Sequence, residues 1–300
     1  MDISAMKFSF GRAVALACIA GACLAGGLAH AQRAFPTPDA AAEAFVDNLA
    51  RHDGPGLEAI LGRDYRKIAS YQGISGEDVT NFLAGWAAGH KVVTLDPATA
   101  AIELSNGWRM PVPIVKTAAG WTLDTKRGED EMRTRRIGRN ELVAIRASYA
   151  YVEAQRQYAS ADRNGDGRLE YARKILSSPG KRDGLFWPNA AGEPESPLGP
   201  LLDTRSFEDG YHGYRFKILE GQGPAARGGA RSYVQKGQMA YGFALVAWPA
   251  KYGDTGIMTF MVNHDGVVFE KDLGPNSAAI ARAMTRFDPD STWKALPTPK

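Results

Sequence analysis

The sequence predicts an α+β protein, and three observations predict it. Apolar residues recur at helical spacing in the first part of the chain, an Asn-Gly turn then joins segments that alternate apolar and polar, and four further β runs follow a long amphipathic stretch. The expected order is N-terminal helices with a small antiparallel sheet over residues 35–126, a charged linker over 127–139, and a long helix packed on an antiparallel sheet over 140–300.

Residues 1–31 read as a secretory signal peptide. Lys7 and Arg12 precede an uncharged run from Ala13 to Ala29, and the small-residue site Ala29-His30-Ala31 places cleavage before Gln32. The run holds 17 residues, mostly Ala and Gly, short and weakly hydrophobic for a membrane span. Lipidation at Cys23 is the alternative, and Ala20-Gly21-Ala22 before it fits a lipoprotein signal poorly. The expected location is therefore periplasmic or secreted, with no stable span after cleavage. Cys18 and Cys23 both lie in the signal, which leaves no thiol and no disulfide beyond it.

Cleavage removes two cations and one anion, taking the net charge from +3 to +2. No strong basic stripe stands out, which argues against nucleic acid as a partner. The basic TRRIGR at 134–139 follows the acidic GEDE and reads as a solvated helix face rather than a phosphate site.

Thr37 is placed to cap a helix with Pro38 at its first position, and Ala41, Phe45 and Leu49 share one side of it up to about Arg51. A short helix over 56–61 and a third from Ser75 to His90, with Val79, Phe82, Leu83 and Trp86 on one face, read as core helices. The period then changes to two, with turns at Asn106-Gly107 and Ala119-Gly120. This element order resembles the cone folds of the nuclear-transport-factor-2-like and cystatin-like families.

Gly138 and the charges around it predict a domain boundary, with Asn140 as cap of the next helix. Leu142, Ile145, Tyr149 and Val152 form its inward stripe. The loop ADRNGDGRLEYARK follows. Asp162, Asn164 and Asp166, the carbonyl of Arg168, and Glu170 occupy positions one, three, five, seven and nine of a calcium loop, with Gly167 at the turn. Arg173 takes the twelfth position, where a bidentate carboxylate belongs. A structural calcium is expected; the competing reading is an Asx turn in which Asp162 and Asp166 bind backbone amides.

Residues 181–209 form a long connection holding Phe186 and Trp187, an aromatic patch for a partner or else core anchors. The runs YRFKIL, MAYGFALVAW, TGIMTFMVN and VVFEKDL then predict an antiparallel sheet, the last two joined at His264-Asp265-Gly266. A helix from Pro275 follows, and Trp293 is expected to cover the core.

GRNELVAIRASYAYVEAQRQYA, DRNGDGRLEYA, LSSPGKRDGLFWP, YHGYRFKIL and FALVAWPAKYGDTGIMTFMVNHDGVVFEKDLG together resemble the secreted bacterial family known as domain of unknown function twenty-nine-fifty. The resemblance implies no activity. AQRQY, the acidic loop, GYRF, ALVAWP and GIMTFMVNHDGVV also resemble the head of type IV pilins and pseudopilins, which implies a helix laid on a small antiparallel sheet. The long apolar stalk of pilins is absent, so only the head fold carries over.

Enzyme readings find little. Ser178-Pro179-Gly180-Lys181 has S-x-x-K spacing, but Pro and Gly oppose the helical turn that sets Ser beside Lys. GQGPAARGG at 221–229 lacks the Lys-Ser/Thr ending of a phosphate loop and reads as a flexible loop. The expected function is non-enzymatic binding or scaffolding of an envelope protein or polymer. The alternative is an envelope-polymer hydrolase using Asp183, Glu208 and Asp209 in a groove.

Overall fold

The computed structural model describes residues 32–163, 165–188, 195–199 and 210–297. The expected signal segment, Asn164, and Glu208 and Asp209 lie outside these described residues.

Four helices come first: α1 (Pro38–Ala50), α2 (Gly54–Leu61), α3 (Tyr65–Tyr71) and α4 (Gly76–Ala88). Thr37 caps α1, its hydroxyl accepting the Ala40 amide at 3.1 Å. The sequence reading missed α3, a seven-residue helix with no buried residue and hence no apolar period. Strands β1 (His90–Asp96), β2 (Thr99–Leu104), β3 (Ile114–Thr117) and β4 (Gly120–Leu123) form an antiparallel sheet in chain order. Phe35, Phe45, Ile60, Ile102, Ile114 and Leu123 are buried in the core between helices and sheet.

Helix α5 (Thr125–Tyr158) runs unbroken for 34 residues. The segment 127–139, expected as a linker, is its first half, and the cap is Asp124, whose carboxylate accepts the Arg127 amide at 3.0 Å. The charges that suggested a solvated linker pair along the helix face instead. Arg133 bonds Asp130 at 2.6 Å, and Arg135 bonds Glu131 at 2.7 Å. Asn140 caps nothing; its amide donates to the Thr255 carbonyl at 2.9 Å.

The second half of α5 lies on a five-stranded antiparallel sheet built from β5 (Tyr214–Leu219), β10 (Ala244–Pro249), β11 (Met258–Asn263), β12 (Val268–Asp272) and β13 (Lys294–Ala295), in the order β13-β12-β11-β10-β5. Between β5 and β10 stand two small ladders, β6 (Gly221–Gln222) with β7 (Arg231–Ser232) and β8 (Val234–Gln235) with β9 (Gln238–Met239). Every residue of β10 is buried, because α5 and α6 (Ser277–Ala283) both pack against it. The hairpin at His264-Asp265-Gly266 closes as expected, with the Gly266 amide on the Asn263 carbonyl at 2.9 Å. Trp293 packs against this core.

The inward stripe of α5 is rotated from the expected one. Leu142 is 56 % exposed, and the buried positions are Ala144, Ser148, Tyr151, Val152, Ala154, Gln155 and Tyr158. Small residues bring the helix close to the sheet, and its buried polar groups are satisfied locally. The Ser148 hydroxyl donates to the Ala144 carbonyl at 2.8 Å, and the Tyr151 hydroxyl donates to the Ala244 carbonyl at 3.1 Å.

Loop 221–229, expected to be flexible, closes around a side chain. Gln222 is fully buried, and its amide donates to the carbonyls of Arg227 and Gly229 at 2.8 and 2.7 Å.

Candidate functional site

Ser75 starts α4 with a reciprocal cap. Its hydroxyl accepts the Asp78 amide while the Asp78 carboxylate accepts the Ser75 amide at 2.8 Å. The helix turns Val79, Phe82, Leu83 and Trp86 to one side, yet none of its residues is fully buried. Its far end sits tightly on the sheet. A Cβ on Gly85 would meet Leu104 Cδ1 at 2.7 Å, and the Trp86 ring stacks on His90 at 3.4 Å between centroids. The near end does not, and a cavity of about 830 Å³ opens beneath Val79 and Phe82.

Phe45, Leu49, Leu57 and Leu61 form its floor, and α3 with the Gly73-Ile74 turn forms one wall. Trp108, Met110 and Val112 beyond the Asn106 turn form another wall, and Met132 of α5 closes it. Phe82 links the walls, 6.1 Å from Phe45 and 5.9 Å from Trp108 between ring centroids. Ile74 and Trp108 stay 45 % and 43 % exposed at the rim. A second hollow of about 680 Å³ on the other flank of α4 shares Leu49, Leu57, Tyr65 and Val79 with the first. Space on both flanks explains why a helix read as core is only half-buried.

Polar groups lie at the edge of this apolar space. Arg135 is engaged by Glu131 and by the Arg109 carbonyl at 2.7 Å. Arg139, one turn further along the same face of α5, is exposed and has no carboxylate partner among the described residues. Gln72 accepts from Arg136 Nη1 at 2.6 Å, and its own Nε2 is buried without an acceptor.

The acidic loop lies in the other half of the molecule. Both Asp162 oxygens accept backbone amides, from Gly165 at 2.7 Å and Gly167 at 2.8 Å, and Asp166 accepts the Arg168 amide at 3.0 Å. Asp166 is also bonded by Gln238. Burial raises the Glu170 carboxyl, and Asp166 and Asp162 add to that rise. Among the described residues no group of three His, Cys, Asp or Glu converges as metal ligands. Arg173 is committed elsewhere, to Glu220 at 2.7 Å and the Gly237 carbonyl at 3.1 Å.

Sequence reasoning missed Gln155. It is fully buried, its Nε2 donates to the Ala172 carbonyl at 2.8 Å, and its Oε1 accepts the Ala172 amide at 2.8 Å. The helix end is thus tied to the segment beyond the acidic loop by an amide, the role expected of calcium. It stands second in AQRQY beside Arg156, and a glutamine there reads as surface.

Glu208 and Asp209 lie outside the described residues, and Asp183 is held in a local network of its own. Its carboxylate accepts from Lys174 Nζ at 2.6 Å, from the Ser178 amide at 2.7 Å and from the Ser178 hydroxyl at 2.9 Å. Ser178 therefore does sit beside a lysine, Lys174 at 2.8 Å rather than Lys181. Lys174, helped by the Ser178 amide and hydroxyl, holds the Asp183 carboxyl down to about 2. An ammonium ion-paired in this way is no general base for the serine. Trp187 is 5 % exposed and Phe186 half-buried, so these rings are core anchors rather than a patch. His264, read as a turn residue, packs between Tyr233 and Phe243 and accepts from Arg231 at 2.9 Å.

Fold and cavity together define an α+β protein whose N-terminal half carries a ligand-sized, mostly apolar cavity open on one side. The chain belongs to the family described as "Protein of unknown function (DUF2950)", which it matches over residues 32–296. Searches of curated proteins and of solved structures gave no match, so no solved structure links the helix-on-sheet half to pilin heads. Among the described residues no helix is long and apolar enough to cross a membrane.

Proposed function

We propose that the protein is an exported binding protein of the cell envelope that takes an apolar small molecule into the cavity beneath α4. The single observation that carries this reading is that cavity. Its volume lies within the roughly 300–1,000 Å³ typical of small-molecule sites, and its walls are apolar and aromatic with a few polar groups at the edge. Burial of about 25 cal/mol per Å² of apolar surface supplies the affinity. Export is supported by the charged start, apolar run and Ala29-His30-Ala31 site of residues 1–31. Binding rather than catalysis is favoured by the ion pair that ties off Ser178, Lys174 and Asp183.

The test is titration of the purified protein with the neutral fluorescent probe N-phenyl-1-naphthylamine. Saturable emission at one equivalent is expected, with weaker binding by Ala69→Phe, which fills the cavity from α3. No saturable signal from the wild-type protein would overturn the reading.

A structural calcium in the acidic loop is the second part of the proposal. It is supported by the acidic positions of the loop, where burial raises the Glu170 carboxyl and the charges of Asp166 and Asp162 add to that rise. The ion would add to the clamp made by Gln155 and not replace it.

A further inference from the structure

We infer that the ligand of the α4 cavity is an anionic amphiphile, a single apolar chain ending in a carboxylate or similar acidic head, with the head held at Arg139. This rests on the reading of the cavity as a ligand site and adds the chemistry of what enters it.

The charge at the edge decides the sign of the head. Four ionisable residues line the cavity's margin: Asp78, Arg135 and Arg139, with Tyr65 beside α2. Asp78 is spent on the α4 cap, where the Ser75 hydroxyl and amide hold its carboxyl below the usual range. Arg135 is neutralised by Glu131. Of the charged residues that line the cavity, Arg139 alone is left without a carboxylate partner among the described residues, on the α5 face that also presents Met132 to the interior. A neutral apolar ligand would leave that guanidinium unused, and a cationic head would meet it at close range. A carboxylate accepts its N–H groups in a fork, a charge-assisted arrangement stronger than a neutral hydrogen bond.

The shape of the space decides the rest. Helices α1 to α4, the strand turn at Trp108 and helix α5 line it and leave one side open to solvent, so an apolar chain can lie along its floor while a polar head stays at the edge beside Arg139. Gln72 lines the same space near the α3 end, its Nε2 buried without an acceptor while its oxygen accepts from Arg136.

Competition of decanoate and of decanol against bound N-phenyl-1-naphthylamine tests this. Decanoate is expected to displace the probe at several-fold lower concentration than decanol. Arg139→Gln should weaken decanoate about threefold and leave decanol unchanged, since one exposed charge contributes modestly. Raising salt should narrow the gap between the two competitors as the substitution does. Equal displacement by decanoate and decanol, with Arg139→Gln without effect, would overturn the anionic head and leave the apolar cavity standing. Displacement by neither, from a protein that does not bind the probe, would overturn the cavity reading itself. Arg139 is exposed and unpaired, so its loss does not unfold the protein.

Discussion

Arg136 and Asp254 stand 118 residues apart and bind each other where the two halves of the molecule meet. Arg136 donates to the Asp254 carboxylate and at 3.3 Å to its carbonyl, and at the same time to Gln72. Its guanidinium lies 5.2 Å over the Tyr71 ring, whose hydroxyl donates to Asp254 at 2.7 Å. One arginine therefore joins the wall of the cavity to the loop before β11. The pair is largely shielded, at 20 % and 24 % side-chain exposure, so Arg136→Ala is expected to cost about 2–3 kcal/mol. Urea unfolding of Arg136→Ala, Asp254→Ala and the double variant checks it, and additive costs would show that the two residues do not act together.

Two glycines within α5 should respond in opposite directions. A Cβ on Gly138 meets nothing, so Gly138→Ala should gain about 0.5–1 kcal/mol from helix propensity. A Cβ on Gly128 would fall 2.5 Å from Val112 Cγ2 and 2.9 Å from its Cα. Gly128→Ala should therefore lose about 1–3 kcal/mol through overpacking. Thermal midpoints of the two variants decide it.

Gln155→Ala leaves the amide and carbonyl of Ala172 without partners in a buried site and should cost about 2–4 kcal/mol. Calcium is expected to act on the same stretch more weakly. With a dissociation constant of about 10⁻⁴ M, about 1 mM calcium adds about 1.4 kcal/mol, or about 3–5 °C in midpoint. An unchanged melt in calcium removes the ion from the loop, and a melt of Gln155→Ala equal to wild type removes the clamp.

Asp183 makes stability depend on acid. Its carboxyl is lowered from 3.8 to about 2 in the folded protein, chiefly by Lys174. A lowered carboxyl stabilises the fold above its unfolded value, so the contribution is complete at neutral pH and fades as pH falls from 3.8 through about 2. The pair is about half exposed at Lys174, which holds the gain to about 1 kcal/mol. The advantage of wild type over Asp183→Asn in urea should therefore be roughly halved between pH 7 and pH 3. An advantage that grows on acidification would contradict the assignment.

Much of the fold was legible because local chemistry and final structure agree. The Thr37-Pro38 cap, the Asn106-Gly107 turn and the His264-Asp265-Gly266 hairpin are decided within a few residues of themselves. The linker was misread because Gly138 and a run of charges look alike in a loop and on the wet face of a helix; only partners at three and four residues' distance tell them apart. The cavity was not legible at all. Val79, Phe82, Leu83 and Trp86 make the same stripe whether or not the space opposite is filled, and what fills it depends on Leu57, Trp108 and Met132, distant in sequence. Gln155 was hidden for the same reason, since its partner is 17 residues on.

The continuity of α5 sets the two halves in helical phase. Gly128 packs on the N-terminal hairpin and Ala144 to Tyr158 on the C-terminal sheet, along one rod about 50 Å long. Adding a single residue between them would advance one half by about 1.5 Å and swing it through about 100° against the other. Arg136 would then point away from Asp254 and Gln72. Sequence length between positions 129 and 143 is thus as constrained as any buried side chain, though no residue there is itself buried.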